Sequence, residues 1–477
     1  MEANEVVEGK PLCIEDFLAC EHDPAYVRAQ VRHSQKCFQL MKVELYAEHT
    51  YGEAGTMAHS TANKRRPLEG VRVIDLTRIV AGPNCTRMLA TMGAEVIRVE
   101  WHDDRALDLL RGVHPKVRGG EPDSLNRSGL FNNINAGKYG VTLNMNMPQG
   151  QDLFKRLIAK STVLCENYSP GQMERWGLGY NTLREVNPGL IYMQITGMGK
   201  SGTYNDYLSV GPTAQALSGL THMSGLPDPM PPAGWGYSYL DHSTGYYGAM
   251  LVLVALLKQR KTGVGCYIDA SQTEVGILTS GTATLEAQLT GKPTARHGNR
   301  MQAAAWAPHG AYPCRGTDEW ITIAVQTDDQ WQALVAEIGA PSWAREARFQ
   351  TAAGRKTNED DLDRSLAEFT KSEDRYDLMA RLQKRNVPAG AVQKSIDRCT
   401  RDAQLKERGY FVSLPQSEIG TWPIEGFPAK FHKMQVHVGG LPGRGAPSIG
   451  EDNDAVYRDI LGLTPEEIAT LREEWVI

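Results

Sequence analysis

"VRVIDLTRIVAGPNCTRMLATMGAEVIRVE", residues Val71 to Glu100, decides the fold class. Its first six residues form a β-branched strand, "AGP" is a turn, "CTRMLATMG" is a short amphipathic helix closed by Gly93, and "AEVIRVE" is a second strand. That is a β-α-β unit. Such a unit makes a right-handed crossover between parallel strands, so the expected class is α/β, with helices layered on a parallel sheet.

The same alternation continues downstream. "GVTLNM" reads as a strand, "QDLFKRLIAKS" as a helix, "TVLCENY" as a strand, "NTLREV" as a helix and "LIYMQIT" as a strand. After Thr262, "CYIDASQTEVGILTSGTATLEAQLTG" reads as a strand followed by one long helix leaving the domain. A second lobe is expected to begin near Arg296, where "GAYPCRGTDEWITIAV" has the β-branched runs and glycine turn of an antiparallel pair. Helices should fill Asp328 to about Arg385, and residues 400–477 return to mixed strand and helix. Upstream, residues 1–65 are polar, rich in Glu and His, and end in the linker-like "HSTANKRRP"; they read as an appended N-terminal extension.

Bulk properties narrow the partners. At 477 residues the chain exceeds what one core usually serves, and 41% hydrophobic and 22% charged residues make an ordinary globular mixture. A net charge of -5 gives no reason to expect nucleic acid or an anionic membrane. The start, "MEANEVVEGK", carries acids where a signal peptide needs basic and then apolar residues, so a cytoplasmic location is expected. The aliphatic run Ala249 to Leu257 is too short to cross a bilayer and reads as a buried helix. The eight cysteines show neither a C-x-x-C pair nor metal-like spacing with histidine, so reduced structural thiols and no metal are expected.

Two motifs are set aside. "GMGKSG", Gly197 to Gly202, matches G-x-G-x-x-G after a strand, but no good helix follows to face a pyrophosphate with its N-terminus. A P-loop would need glycine where Gln194 stands. By contrast, "GYSYLDHSTGYYGAMLVLVALL" sets the carboxylate of Asp241 before a long apolar stretch. From position alone a helix-capping aspartate and a shielded nucleophile are equally good readings. His242 stands beside it, but neighbours on an extended segment point opposite ways, so adjacency alone makes no dyad.

Several segments together resemble the family III CoA-transferases, which include carnitine and formyl-CoA transferases and the α-methylacyl-CoA racemases. "LEGVRVIDLTRIVAGPNCTRMLATMGAEVIRVE", "GKYGVTLNM", "CENYSPGQMERWGLGY", "NPGLIYMQITGMGKSG" and "SYLDHSTGYYGAMLVLVALLKQRKTGVGCYIDASQTE" follow in the family order. The likeness covers about residues 66 to 477. It implies a Rossmann-like large domain built from N- and C-terminal parts (66–285 and 401–477), a linker helix and smaller inserted α+β domain (286–400), and an interlocked dimer. It also implies that Asp241 is the catalytic carboxylate, attacking a thioester to give an acyl-aspartyl anhydride and then an aspartyl-CoA thioester. Water must be excluded while the anhydride exists, which accounts for an acid at an apolar mouth.

The resemblance carries coenzyme A, as the thioester co-substrate, onto Arg78 and Val80, onto Asn135, Ala136, Gly137 and Lys138, onto Asn167 and Tyr168, and onto Arg175. Arg and Lys suit phosphates, and apolar or aromatic residues suit adenine. The loop "PPAGWGYSYL" supplies close backbone approach and aromatic walls, so Trp235, Gly236 and Tyr237, with His242, are the expected substrate pocket; a turn with core aromatics is the plain alternative. Backbone amides there or in 297–306 could hold an oxyanion. The expected substrates are an acyl-CoA such as succinyl-CoA and a free aromatic or dicarboxylic acid, with a homodimer or a heteromer with a related subunit as the assembly. Two departures bear on the branch. Where many members carry a second acid, and racemases a His-Asp pair, Val210 and Gly211 stand here, which removes the usual racemase base. Trp101 replaces a frequent CoA-binding arginine, for which Arg98 or Arg105 could substitute. A mainly structural subunit of a heteromer and a racemase are the remaining alternatives.

Overall fold

The computed structural model describes residues 66–102, 107–113, 116–117, 124–234, 237–302 and 304–477. The expected N-terminal extension, residues 1–65, lies outside the described residues. Six strands form one sheet: β1 (Arg72–Asp75), β2 (Glu95–Glu100), β3 (Tyr139–Thr142), β4 (Val163–Glu166), β5 (Ile191–Thr196) and β6 (Cys266–Ser271). Every pairing is parallel and the spatial order is β3-β2-β1-β4-β5-β6. This is the doubly wound order, in which the chain reverses its direction of travel across the sheet between β1 and β4. The helices used below are α1 (Ala81–Thr91), α2 (Pro148–Ala159), α3 (Tyr180–Val186), α4 (Gly211–Leu217), α5 (Tyr239–Thr262), α6 (Gln272–Thr279), α7 (Gly281–Thr290), α8 (Asn453–Leu461) and α9 (Pro465–Glu473).

Strand periodicity divides the core into two layers. Val73, Val96, Val163, Ile191 and Met193 face α1 and α5, while their neighbours Ile74, Ile97, Leu164 and Tyr192 face a layer that includes α2, α3, α8 and α9. Residues from near both ends of the described chain therefore share one core: Ile74 and Leu76 belong to the same cluster as Val456, Tyr457 and Ile468. A further hydrophobic cluster, around Trp331, Leu334, Phe349, Leu362 and Leu378, lies against the antiparallel sheet of β7 (His309–Pro313), β8 (Trp320–Ala324) and β9 (Ala389–Ala391). β10 (Phe411–Gln416) and β11 (Gly420–Glu425) form a hairpin outside both sheets.

Two expectations are corrected here. The long helix after β6 is broken at Ser280 into α6 and α7. The run Ala249–Leu257 is not a buried helix but a two-faced one: Val252 is wholly buried, whereas Val254 and Leu257 are 59% and 62% exposed. A helix beside a sheet buries only one stripe, here Asp241, Gly245, Gly248 and Val252 at steps of four, three and four. The two glycines are steric. A Cβ on Gly245 would stand 2.7 Å from the Ala81 carbonyl oxygen, so α5 lies close against α1 and its first turn reaches the carboxyl ends of the strands. Among the described residues no helix is long and apolar enough to cross a membrane.

Candidate active site

Loops at the carboxyl ends of β1, β4 and β5 converge with the starts of α4, α5 and α6 around a cavity of about 160 Å³. This is the crevice beside the reversal point, where open α/β sheets bind their ligands. Arg78 and Val80 after β1, Asn167 and Tyr168 after β4, and Asp241 and Gln272 all line it. Pockets that enclose a whole drug-sized ligand run to about 300–1,000 Å³, so this one has room for only part of such a ligand.

Asp241 is only 7% exposed, in the first turn of α5 rather than ahead of the helix. The capping alternative is not realised. The N-cap is Ser238, and the Asp241 carboxylate instead accepts a 2.6 Å hydrogen bond from the Gln272 side-chain amide. Burial pushes the Asp241 carboxyl above the ordinary carboxylate range, while hydrogen bonds from Gln272 and Ser238 and the nearby His242 pull the other way. Gly211 lies directly against it: a Cβ there would fall 2.5 Å from Asp241 Oδ2.

The β1 loop is held from two sides. The Arg78 backbone N–H donates to Asn167 Oδ1 at 2.7 Å, and Asn167 Nδ2 returns a 2.9 Å bond to the Arg78 carbonyl. Ile79 takes φ 63, unusual for a β-branched residue, and its N–H donates to the buried Asp108 carboxylate at 3.2 Å. Asp108 in turn pairs with Arg98 at 2.6 Å, and Arg98 also meets Glu100 at 3.1 Å. Burial opposes the charge on Glu100, yet Arg111 and Arg98 together hold its carboxyl below the usual range. The Arg78 guanidinium lies 4.7 Å from the centre of the Tyr168 ring.

Several expected binding residues stand elsewhere. Asn135, Ala136, Gly137 and Lys138 are buried and do not line the cavity. Lys138 spends its three donors on Asp75 at 2.8 Å, the Pro83 carbonyl at 3.0 Å and Asn135 at 2.8 Å, so it balances a buried charge and has none left for a phosphate. Arg98 is likewise enclosed by carboxylates and does not replace the arginine missing at Trp101; Arg105 lies outside the described residues. Asn167 faces the cavity, but both ends of its amide clamp Arg78. Arg175 is exposed and bonds Gln172 at 2.6 Å.

On the acyl side, Trp235 and Gly236 lie outside the described residues. The Tyr237 hydroxyl and His242 Nε2 are 2.7 Å apart with their rings stacked, and neither residue lines this cavity. Burial lowers the His242 pKa and raises that of Tyr237 to about 12. Sequence reasoning missed Gln272 and Asp108. Gln272 was within reach, since it directly follows the strand residues "CYIDAS" and so had to emerge at the carboxyl end of the sheet.

The model of CoA-transferase family III matches residues 68–453. The chain belongs to that family. This CoA-transferase is 32% identical to the succinyl-CoA–L-malate CoA-transferase beta subunit of Chloroflexus aurantiacus, over 86% of its own length and 98% of that protein's. It is 30% identical to the succinate–glutarate CoA-transferase of Agrobacterium fabrum, over 75% of its length and 88% of the relative's. Among solved structures it is similar to a CaiB/BaiF family protein from Brucella suis, with a TM-score of 0.75 and 29% identity over 83% of this chain and 99% of that one.

Proposed function

We propose that this transferase moves CoA from succinyl-CoA to a dicarboxylic acid, with Asp241 as the temporary carrier. The observation that carries the reading is one shielded carboxylate, backed by an amide donor, in the cavity at the strand ends. Asp241 attacks the donor thioester carbonyl, forming an acyl-aspartyl anhydride and expelling the CoA thiolate. The thiolate attacks the aspartyl carbonyl, releasing the donor acid and leaving aspartyl-CoA. The acceptor carboxylate then runs the two exchanges in reverse, so the thioester's energy is conserved. Burial of Asp241 keeps water from the anhydride. The dicarboxylates in the names of both relatives support the acceptor class.

Arg78 and Val80 line the entrance to the reacting atoms, with Tyr168 beneath the Arg78 guanidinium; they are the residues of the cavity best suited to the CoA moiety. A racemase would need a base for the α-proton beside Asp241; Gly211 and Gln272, which touch the carboxylate, are not basic, and His242, the neighbouring base, does not line the cavity and meets the Tyr237 hydroxyl instead. The exposed apolar side chains Met250, Val254, Leu257, Leu278 and Leu289 on α5, α6 and α7 support a partner subunit, identical or related, covering these helices. The division into a large domain (66–285 and 401–477) and a smaller inserted one (286–400) belongs to the same proposal.

The test is to incubate the protein with succinyl-CoA and hydroxylamine and map the modified residue by mass. A hydroxamate on Asp241, and loss of exchange in Asp241→Asn, are expected; undiminished exchange in that variant rejects the assignment.

A further inference from the structure

The two oxygens of Asp241 are not equivalent. Oδ1 accepts the Gln272 amide at 2.6 Å, while Oδ2 is the atom nearest the place a Cβ on Gly211 would take, and Gly211 also lines the cavity. A carboxylate only accepts, so Gln272 presents its NH₂ here. We propose that Gln272 divides the labour between these oxygens: it holds Oδ1 in place through every turnover, so that Oδ2 alone is acylated, and it donates to Oδ1 as an oxyanion whenever the reaction passes through the Asp241 carbonyl carbon.

The scaffold under Gln272 suits a fixed donor. It is 7% exposed and directly follows β6, which pairs with β5 without a break from Cys266 to Ser271. The next residue, Thr273, donates both its backbone N–H and its hydroxyl to the Gly197 carbonyl, at 3.0 and 2.9 Å. Ser238 also helps hold the Asp241 carboxyl in its charged form, but a serine hydroxyl can rotate with its acceptor. An amide anchored at the end of a paired strand cannot follow a turning carboxylate without breaking its bond.

The inference rests on Asp241 being the acyl carrier. In the anhydride, Oδ2 bridges the aspartyl and acyl carbons and Oδ1 is the aspartyl carbonyl oxygen. When the CoA thiolate bonds to Cγ, the carbonyl electron pair moves onto Oδ1, where the Gln272 N–H receives it. Collapse returns that pair and breaks the Cγ–Oδ2 bond, so the donor acid departs carrying Oδ2. The acceptor acid then adds one of its own oxygens to Cγ as the thiolate leaves, and that oxygen remains on Asp241 when the acyl group is passed to CoA. Each turnover therefore replaces one Asp241 oxygen with one from the acceptor. The Gln272-held oxygen is never replaced.

Exchange with an acceptor acid labelled with heavy oxygen in its carboxyl groups reads this directly. After many turnovers with excess labelled acid, the proteolytic peptide bearing Asp241 from the wild-type protein should carry one heavy oxygen and no more. Two labels would overturn the proposal while leaving Asp241 as carrier; no label would overturn the carrier reading itself. Gln272→Met, which keeps the bulk and removes the donor, should admit two labels and slow transfer by about 10²–10³-fold. It should also release more free CoA per transfer, because an anhydride that waits for the thiolate meets water. A Met variant with one label and wild-type transfer would equally refute the assignment, and if that variant fails to fold, the wild-type label count decides alone.

Discussion

Gly211→Ala tests the geometry around Asp241 without replacing the carboxylate or its hydrogen-bond donor. The new Cβ would stand 2.5 Å from Asp241 Oδ2, 2.9 Å from Cγ and 3.0 Å from Oδ1, where ordinary contact begins at 3.4 Å. Either the carboxylate or the start of α4 must give by about 0.9 Å. Gly211 has no left-handed backbone angle, so alanine suits its conformation and the cost is contact alone. Overpacking of this kind costs about 1–3 kcal/mol, which a folded chain of this size should survive. Activity should suffer more: a nucleophile displaced by about 1 Å loses about 10²-fold in rate. The assay is succinyl-CoA-dependent exchange, followed chromatographically, beside thermal unfolding. Gly281→Ala, where a Cβ meets nothing within 4 Å, is the control expected to match the wild type. A well-folded Gly211→Ala protein whose exchange rate stays within about threefold of wild type would refute the packing argument.

Three further outcomes follow from the buried charges. Because burial raises the Asp241 pKa, the native state holds that proton better than the unfolded chain; stability contributed there is full below the ordinary value of 3.8 and is lost as pH rises through the folded value. Asp241→Asn should therefore melt no lower than wild type at neutral pH, and a clearly lower transition would contradict this. Glu166, under Tyr168, is pushed by burial from 4.5 to about 8, so wild-type stability should decline as pH rises across that interval; denaturant titrations of Glu166→Gln should show a smaller decline. Asp108→Ala leaves Arg98 with Glu100 and Asp75 as its remaining carboxylate partners and frees the Ile79 amide, predicting a loss of about 3 kcal/mol in chemical unfolding and a raised KM for the thioester. Unchanged stability in that variant would mean the cluster is redundant.

The strands were legible because their cause is local. "VRVIDL" and "LIYMQIT" are apolar on both faces, which only a sheet covered on both sides rewards, and the helices between them carry one apolar stripe each. Asp241 was legible for a different reason, the agreement of several separated motifs with one family. The binding residues were harder. Lys138 and Arg98 carry the charges a phosphate wants, yet the fold surrounds them with Asp75, Glu100 and Asp108, and no local pattern distinguishes a cation for a ligand from one that neutralises a core.

What the sequence determined by itself was the alternation of strand and helix, the family, and one acid ahead of an aliphatic run. Only the tertiary structure decided that Gln272 lies 31 residues along the chain from Asp241 yet 2.6 Å from its carboxylate, and that Gly211 occupies the space beside it. The physical reason is that periodicity records which face of an element is buried, whereas a hydrogen bond between elements depends on how parallel strands stack, where each ends, and how closely the glycines of α5 let it approach α1.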